Sequence, residues 1–169
     1  MKARGLSAAS PLAQIAAGGD TYDVRRAVAD DVGAIVDLIV ADQIGATRDG
    51  GDLAPYLRAF ALIDADPAQL LVAVTDSGGA VVGTLQMTFI PGLARRGALR
   101  AQIEAVRVHA DLRGRGLGAA VFRWAIEEAR RRDCALVQLP SDKRRVEAHR
   151  FYGRLGFAAS HDGFKLRLT

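Results

Sequence analysis

Apolar and polar residues alternate along Tyr22 to Ala27, and the pattern then shifts to a helical repeat at Val32, Ile35, Val36 and Ile39. This predicts a strand followed by a helix with Asp30 as its N-cap. After the Gly50-Gly51 loop, a second helical stretch runs from Leu53 to about Ile63, and Asp64 to Pro67 stops it. Two β-rich runs, Leu70 to Thr75 and Val81 to Phe89, flank Asp76-Ser77-Gly78-Gly79. That turn chemistry makes them expected antiparallel neighbours. Pro91-Gly92 closes the second of them, and a further strand is expected from Ala98 to Val108.

From Leu117 to Arg132, one helical face carries Leu117, Val121, Trp124 and Ala125, and another carries Phe122 and Ile126. A helix with two apolar faces packs on a sheet and beneath a further element. Ala135 to Leu139 reads as a short strand, and Glu147 to Leu155 as a helix with Ala148, Phe151, Tyr152 and Leu155 in line. Phe164 to Leu168 alternates as a final strand. The order implies a mixed α/β fold, with a mostly antiparallel sheet of about six to seven strands, about four helices and one strand-helix-strand crossover.

A chain of 169 residues, 50% apolar and 25% charged, fits one domain, assigned to residues 21–169. Residues 1–20 are expected to form a flexible extension, because Ser10, Pro11, Gln14 and Gly18-Gly19 interrupt any apolar core a targeting peptide would need. No apolar run approaches the length of a membrane span, and a soluble, cytoplasmic protein is the expectation. The single cysteine, Cys134, excludes an internal disulfide and reads as a small core residue. No histidine pair, carboxylate cluster or thiol set has metal-ligand spacing, so no metal is expected.

The net charge of +4 suits an anionic partner without naming it. The arginines are dispersed: Arg95, Arg96 and Arg100 in one segment, Arg113 and Arg115 in another, Arg130 to Arg132 at a helix end, Lys143 to Arg145 in a further loop. The Arg130 to Arg132 run complements a helix C-terminus. Few aromatics lie within basic segments, which argues against a nucleic-acid binder.

The sharpest signal is Arg113-Gly114-Arg115-Gly116-Leu117-Gly118, directly after a strand and at the start of a helix. Unpartnered amides at a helix N-terminus bind anions, and missing Cβ atoms let a pyrophosphate approach the backbone. A nucleoside triphosphatase loop would end in Gly-Lys-Ser or Gly-Lys-Thr, whereas this one runs Gly118-Ala119-Ala120. A dinucleotide fingerprint would need G-x-G-x-x-G near the first strand.

With the strand Ile103 to Val108 before the loop and the segment Ala148-His149-Arg150-Phe151-Tyr152-Gly153-Arg154-Leu155-Gly156-Phe157 after it, the chain resembles the GCN5-related N-acetyltransferases, the GNAT family. The resemblance covers roughly residues 22–168. It implies acetyl-CoA as co-substrate and a strand-helix-strand acyl-CoA site. The pyrophosphate is expected on Arg113, Gly114, Arg115, Gly116, Leu117, Gly118 and Ala119. The pantetheine arm is expected to pair with Val106, Arg107 and Val108, which suits an amide chain with its own donors and acceptors. An amine is the expected acceptor, a homodimer is left open, and neither nucleic acid nor membrane is an expected partner.

A free alkylamine is mostly protonated at neutral pH, so its attack on a thioester needs a base or a proton path. Glu104, an acid on an apolar strand, is the candidate; simple alternation puts it on the face of Val106 and Val108, unless a bulge intervenes. A salt bridge to Arg107 or Arg100 is the equal alternative. The resemblance assigns the acid for the leaving thiolate to Tyr152, which otherwise packs on its apolar stripe. His149 reads as a surface residue, and His109 and His161 have weaker claims. Many relatives carry an asparagine where Ser141-Asp142-Lys143-Arg144-Arg145 stands here. Gln86 and Thr88 are candidate cleft groups, and Asp49 or Asp52 a candidate attraction for an amine. A non-catalytic acyl-CoA-binding module of the same fold is the rival reading.

Overall fold

The computed structural model describes residues 10–41 and 50–168. Six strands form one sheet in chain order: β1 (Ala13–Ala17), β2 (Asp20–Arg26), β3 (Gln69–Thr75), β4 (Val81–Ile90), β5 (Arg100–Val108) and β6 (Leu136–Gln138). Neighbours are antiparallel from β1 to β5, and β6 lies parallel to β5. The described helices are α1 (Val32–Val40), α2 (Ala54–Ala65), the single turn α3 (Ala94–Gly97), α4 (Leu117–Arg131) and α5 (Val146–Arg154). The expected hairpin is closed by Asp76, whose Oδ1 accepts the Gly78 and Ala80 amides at 2.9 and 3.0 Å. The expected crossover is β5-α4-β6.

Alternation gives the sheet two unlike faces. Leu70, Val72 and Val74 of β3, Leu85, Met87 and Phe89 of β4, and Ala101 and Ile103 of β5 are buried in one cluster with Leu117, Val121, Phe122, Trp124 and Ala125 of α4. On the other face α1 and α2 cover a smaller cluster around Ala27, Ile35 and Ala73, joined by Ile39, Phe60, Leu71 and Val81.

Three sequence expectations are corrected. Asp31, not Asp30, organises the entry to α1: its Oδ2 accepts the Val28 amide at 2.8 Å, and its two oxygens take Arg25 at 2.6 and 2.8 Å. The expected extension over residues 1–20 includes β1, which pairs with β2 from Ala13↔Val24 to Ala17↔Asp20; residues 1–9 lie outside the described residues. The final strand over Phe164 to Leu168 is not formed: Phe164, Leu166 and Leu168 are 95%, 86% and 88% exposed. Period-two alternation marks a segment able to bury one face, and it does not supply the neighbouring strand that its backbone needs.

Candidate functional site

The site is built around an irregularity in β5. Its register against β4 runs Gln86↔Glu104 and then Thr84↔Arg107, so three steps on β5 oppose two on β4. The extra residue forms a bulge at Ala105, whose φ is 52°. Glu104 and Arg107 therefore share the face of Gln86 and Thr84, while Val108, opposite Gly83, rejoins the face of Ile103. The expected alignment of Glu104 with Val106 and Val108 is overturned by that one residue. Glu104 is exposed, and among the described residues no ion pair to it forms.

The other edge of β5 is open. β6 pairs only with Arg100 to Gln102, so Ile103 to Val108 have no strand neighbour on that side among the described residues. The two strands thus part just before the bulge, leaving backbone groups available to an extended amide chain. The Val106 carbonyl already accepts Arg107 Nη1 at 2.8 Å.

The glycine loop follows. Gly114 and Gly116 have φ of 76° and 86°, left-handed values that a side chain disfavours, and a Cβ on either would meet no protein atom within 4 Å. The protein leaves that side of the loop empty, as a cradle for a pyrophosphate requires. Gly116 opens α4, whose first described hydrogen bond runs from the Ala120 amide to the Gly116 carbonyl, 3.0 Å. The Leu117, Gly118 and Ala119 amides precede that bond and have no intrahelical acceptor. A Cβ on Gly118 would lie 3.9 Å from Phe151 and 4.0 Å from Val108, so α5 and β5 close over the loop there. Arg113 is exposed beside it. Arg115 turns away: Nη2 reaches Asp20 Oδ2 at 3.2 Å and the Gly18 carbonyl at 3.5 Å. Its side chain braces the β1–β2 turn.

Tyr152 sits on α5, half-buried and edge-on to Phe122, Phe151 and Phe157 at 5.6–6.2 Å. Burial pushes its phenol up, and the Arg145 and Arg107 charges oppose that only in part. The hydroxyl therefore stays protonated at neutral pH and remains a donor. In the loop before α5, Asp142 accepts the Arg144 amide and guanidinium at 2.7–3.0 Å, which holds its carboxyl well below the usual range. His149 is exposed, with Nε2 3.0 Å from the Asp142 carbonyl. Cys134 is half-buried against the core, and burial raises its thiol.

On the face of Glu104 lies a row of uncharged polar groups. Gln86 Nε2 and Thr88 Oγ1 both donate to Gln69 Oε1 at 3.0 Å, and Gln138 Nε2 donates to Gln102 Oε1 at 2.8 Å. Sequence reasoning had singled out Gln86 and Thr88 alone. Gln69, Gln102 and Gln138 were legible as polar positions alternating with core residues in neighbouring strands. Asp52 Oδ1 accepts the Ala54 amide at 3.0 Å and so serves the start of α2; Asp49 lies outside the described residues.

The family model for the acetyltransferase (GNAT) family matches residues 35–157. The chain belongs to this family. It is 40% identical to a Bacillus halodurans C-125 protein described as a transcriptional regulator, with a TM-score of 0.83 over 87% of this chain and 99% of that one. It is 38% identical over 63 residues to the aminoalkylphosphonate N-acetyltransferase of Salmonella typhimurium (strain LT2), a match spanning 37% of this chain and 41% of that protein. The glucosamine-6-phosphate N-acetyltransferase of Arabidopsis thaliana, at 20% identity, shares the fold with a TM-score of 0.73 over 89% of this chain and all of that one. The GNAT fold thereby holds for this chain, and proteins similar to it include N-acetyltransferases.

Proposed function

We propose that this GNAT protein acetylates a primary amine of a small molecule or peptide by direct attack within a ternary complex. Acetyl-CoA brings an activated acyl carbon: the amine nitrogen forms the new C–N bond as the C–S bond breaks. The Arg113 to Ala119 amides would hold the pyrophosphate, and the open edge of Val106 to Val108 the pantetheine arm. Glu104 takes the proton that the amine sheds, directly or through water. The Tyr152 hydroxyl gives a proton to the departing sulfur, and the positive charges of Arg107 and Arg145 favour the phenolate left behind.

The observation that carries this reading is the parting of β5 and β6 at Gln102, just before Glu104, which alternation sets on the face of Gln86 and Gln102. An unpaired strand edge and a carboxylate thus lie on the strand that leads toward the glycine loop. The Salmonella relative's aminoalkylphosphonate acceptor supports an amine as the nucleophile here.

The test is thiol release from acetyl-CoA over an amine panel, comparing the wild type with Glu104→Gln. At least one amine should support turnover, and the variant should lose on the order of 10²–10⁴ in kcat/KM while flattening the rise of rate with pH. An unaltered pH profile removes Glu104 as the base. Tight acetyl-CoA binding without release for any amine overturns catalysis in favour of a sensing module.

A further inference from the structure

The sheet face beside the open cleft changes character along its length. Beneath α1 and α2 it is apolar, and toward β5 and β6 it carries the glutamine row, ending at Arg100. Leu99 packs against the core and Ala101 is fully buried in it, so alternation sets Arg100 on the same face as Gln102 and Glu104. Its strand neighbours are Ile90 on β4 and Leu136 on β6, both apolar. The Nε of Arg100 is buried without a hydrogen-bond partner. Its Nη1 lies by the β4–β5 connection, where a Cβ on Gly92 would be 3.6 Å away. Among the described residues no carboxylate pairs with it.

A guanidinium is always charged, and burying one of its donors unpaired between two aliphatic side chains is unfavourable. Glu104 cannot relieve it, because four strand residues separate them by about 13 Å. An anion that reached the guanidinium would offset that cost.

We infer that Arg100 binds the anionic group of the acceptor, so that the substrate is an amine bearing a distant carboxylate or phosphonate. This rests on the acetyl-transfer reading above. With the amine at Glu104 and the anion at Arg100, about 13 Å of strand separates the two positions. That separation excludes α-amino acids, whose charges are two bonds apart. Gln102 and Gln138 lie between and keep amide capacity beyond their mutual bond, so polar groups on the spacer have partners.

The test uses ω-amino carboxylates and ω-aminoalkylphosphonates of increasing chain length beside n-alkylamines of matched length. The proteins are the wild type, Arg100→Gln and Arg100→Lys, each shown to be folded by its melting curve. The wild type should favour long anionic amines over neutral ones. In Arg100→Gln the ratio of kcat/KM for anionic over neutral acceptors should fall ten- to hundredfold, mostly through KM, and Arg100→Lys should restore part of it. Equal losses on both classes, or no wild-type preference, overturn the inference. If no amine is turned over, calorimetry of the same acids with the CoA-saturated protein separates the two ideas. Binding lost in Arg100→Gln keeps the anion site while acetyl transfer fails; equal binding in wild type and variant rejects the site.

Discussion

At the scale of single residues, charge and burial decide what a side chain does. Asp31 is 6% exposed, and burial would raise its carboxyl. The Arg25 guanidinium, the Val28 amide and the Arg25 charge outweigh that and leave it below its ordinary 3.8. A lowered folded value means stability that is present above pH 3.8 and lost as pH falls through the folded value. Asp31→Asn should remove about 3 kcal/mol at neutral pH, because it leaves Arg25 charged and part-buried without its partner. Urea unfolding at pH 7 and pH 3 checks both claims: the gap between wild type and variant should narrow in acid. Tyr152 is the opposite case, a group that burial keeps neutral. Tyr152→Phe retains the ring contacts with Phe122, Phe151 and Phe157 while removing the donor. Its melting temperature should stay near that of the wild type while kcat falls on the order of a hundredfold or more. A kcat within threefold of wild type would return Tyr152 to a packing role.

At the scale of elements, the loop into α4 is where sequence spoke most clearly. Only glycine accepts the left-handed values at Gly114 and Gly116 without strain, and each stands beside open space rather than beside packed side chains. Gly116→Val should cost about 1–2 kcal/mol of stability for the backbone conformation. It should abolish measurable CoA binding by calorimetry in a protein that still folds, because the new side chain occupies the approach to the amides. Unchanged CoA affinity would displace the pyrophosphate from this loop. The hairpin at Asp76 and the β5-α4-β6 crossover were equally legible, since turn residues and a change of period announce them. The bulge was not: Ala105 takes a positive φ with neither glycine nor proline to signal it, and the register of β4 enforces it from outside. That non-local step, rather than local propensity, brings Arg107 to the face of Glu104 and Val108 to the face of Ile103. β1 was missed for a related reason, because Ala13-Gln14-Ile15-Ala16-Ala17 has little intrinsic strand preference and becomes a strand by pairing with β2.

At the scale of the whole molecule, the sheet connects distant parts of the chain to one loop. The β1–β2 turn, 95 residues before the cradle in sequence, meets it through Asp20 and Arg115. A Cβ on Gly18 would lie 3.2 Å from Arg115, so that turn fits the loop closely. Ala13, Ile15 and Ala17 pack against the main core, the same cluster that holds α4 in place behind the cradle. The Asp20–Arg115 pair itself is exposed on both sides, and Arg115→Ala should therefore change stability by under about 1 kcal/mol. Removing β1 is a different matter: a chain beginning at Asp20 would lose the cover over Tyr22 and Val24 and leave β2 as a bare edge. Burying one isoleucine side chain alone contributes about 1.5–3 kcal/mol, so the truncated chain should lose at least about 2 kcal/mol in urea unfolding. Its CoA affinity should fall as well, because α4 and the amides at its N-terminus would lose their support from behind. A truncated protein with wild-type stability and CoA affinity would restore residues 1–20 to the status of an appendage and detach the cradle from β1.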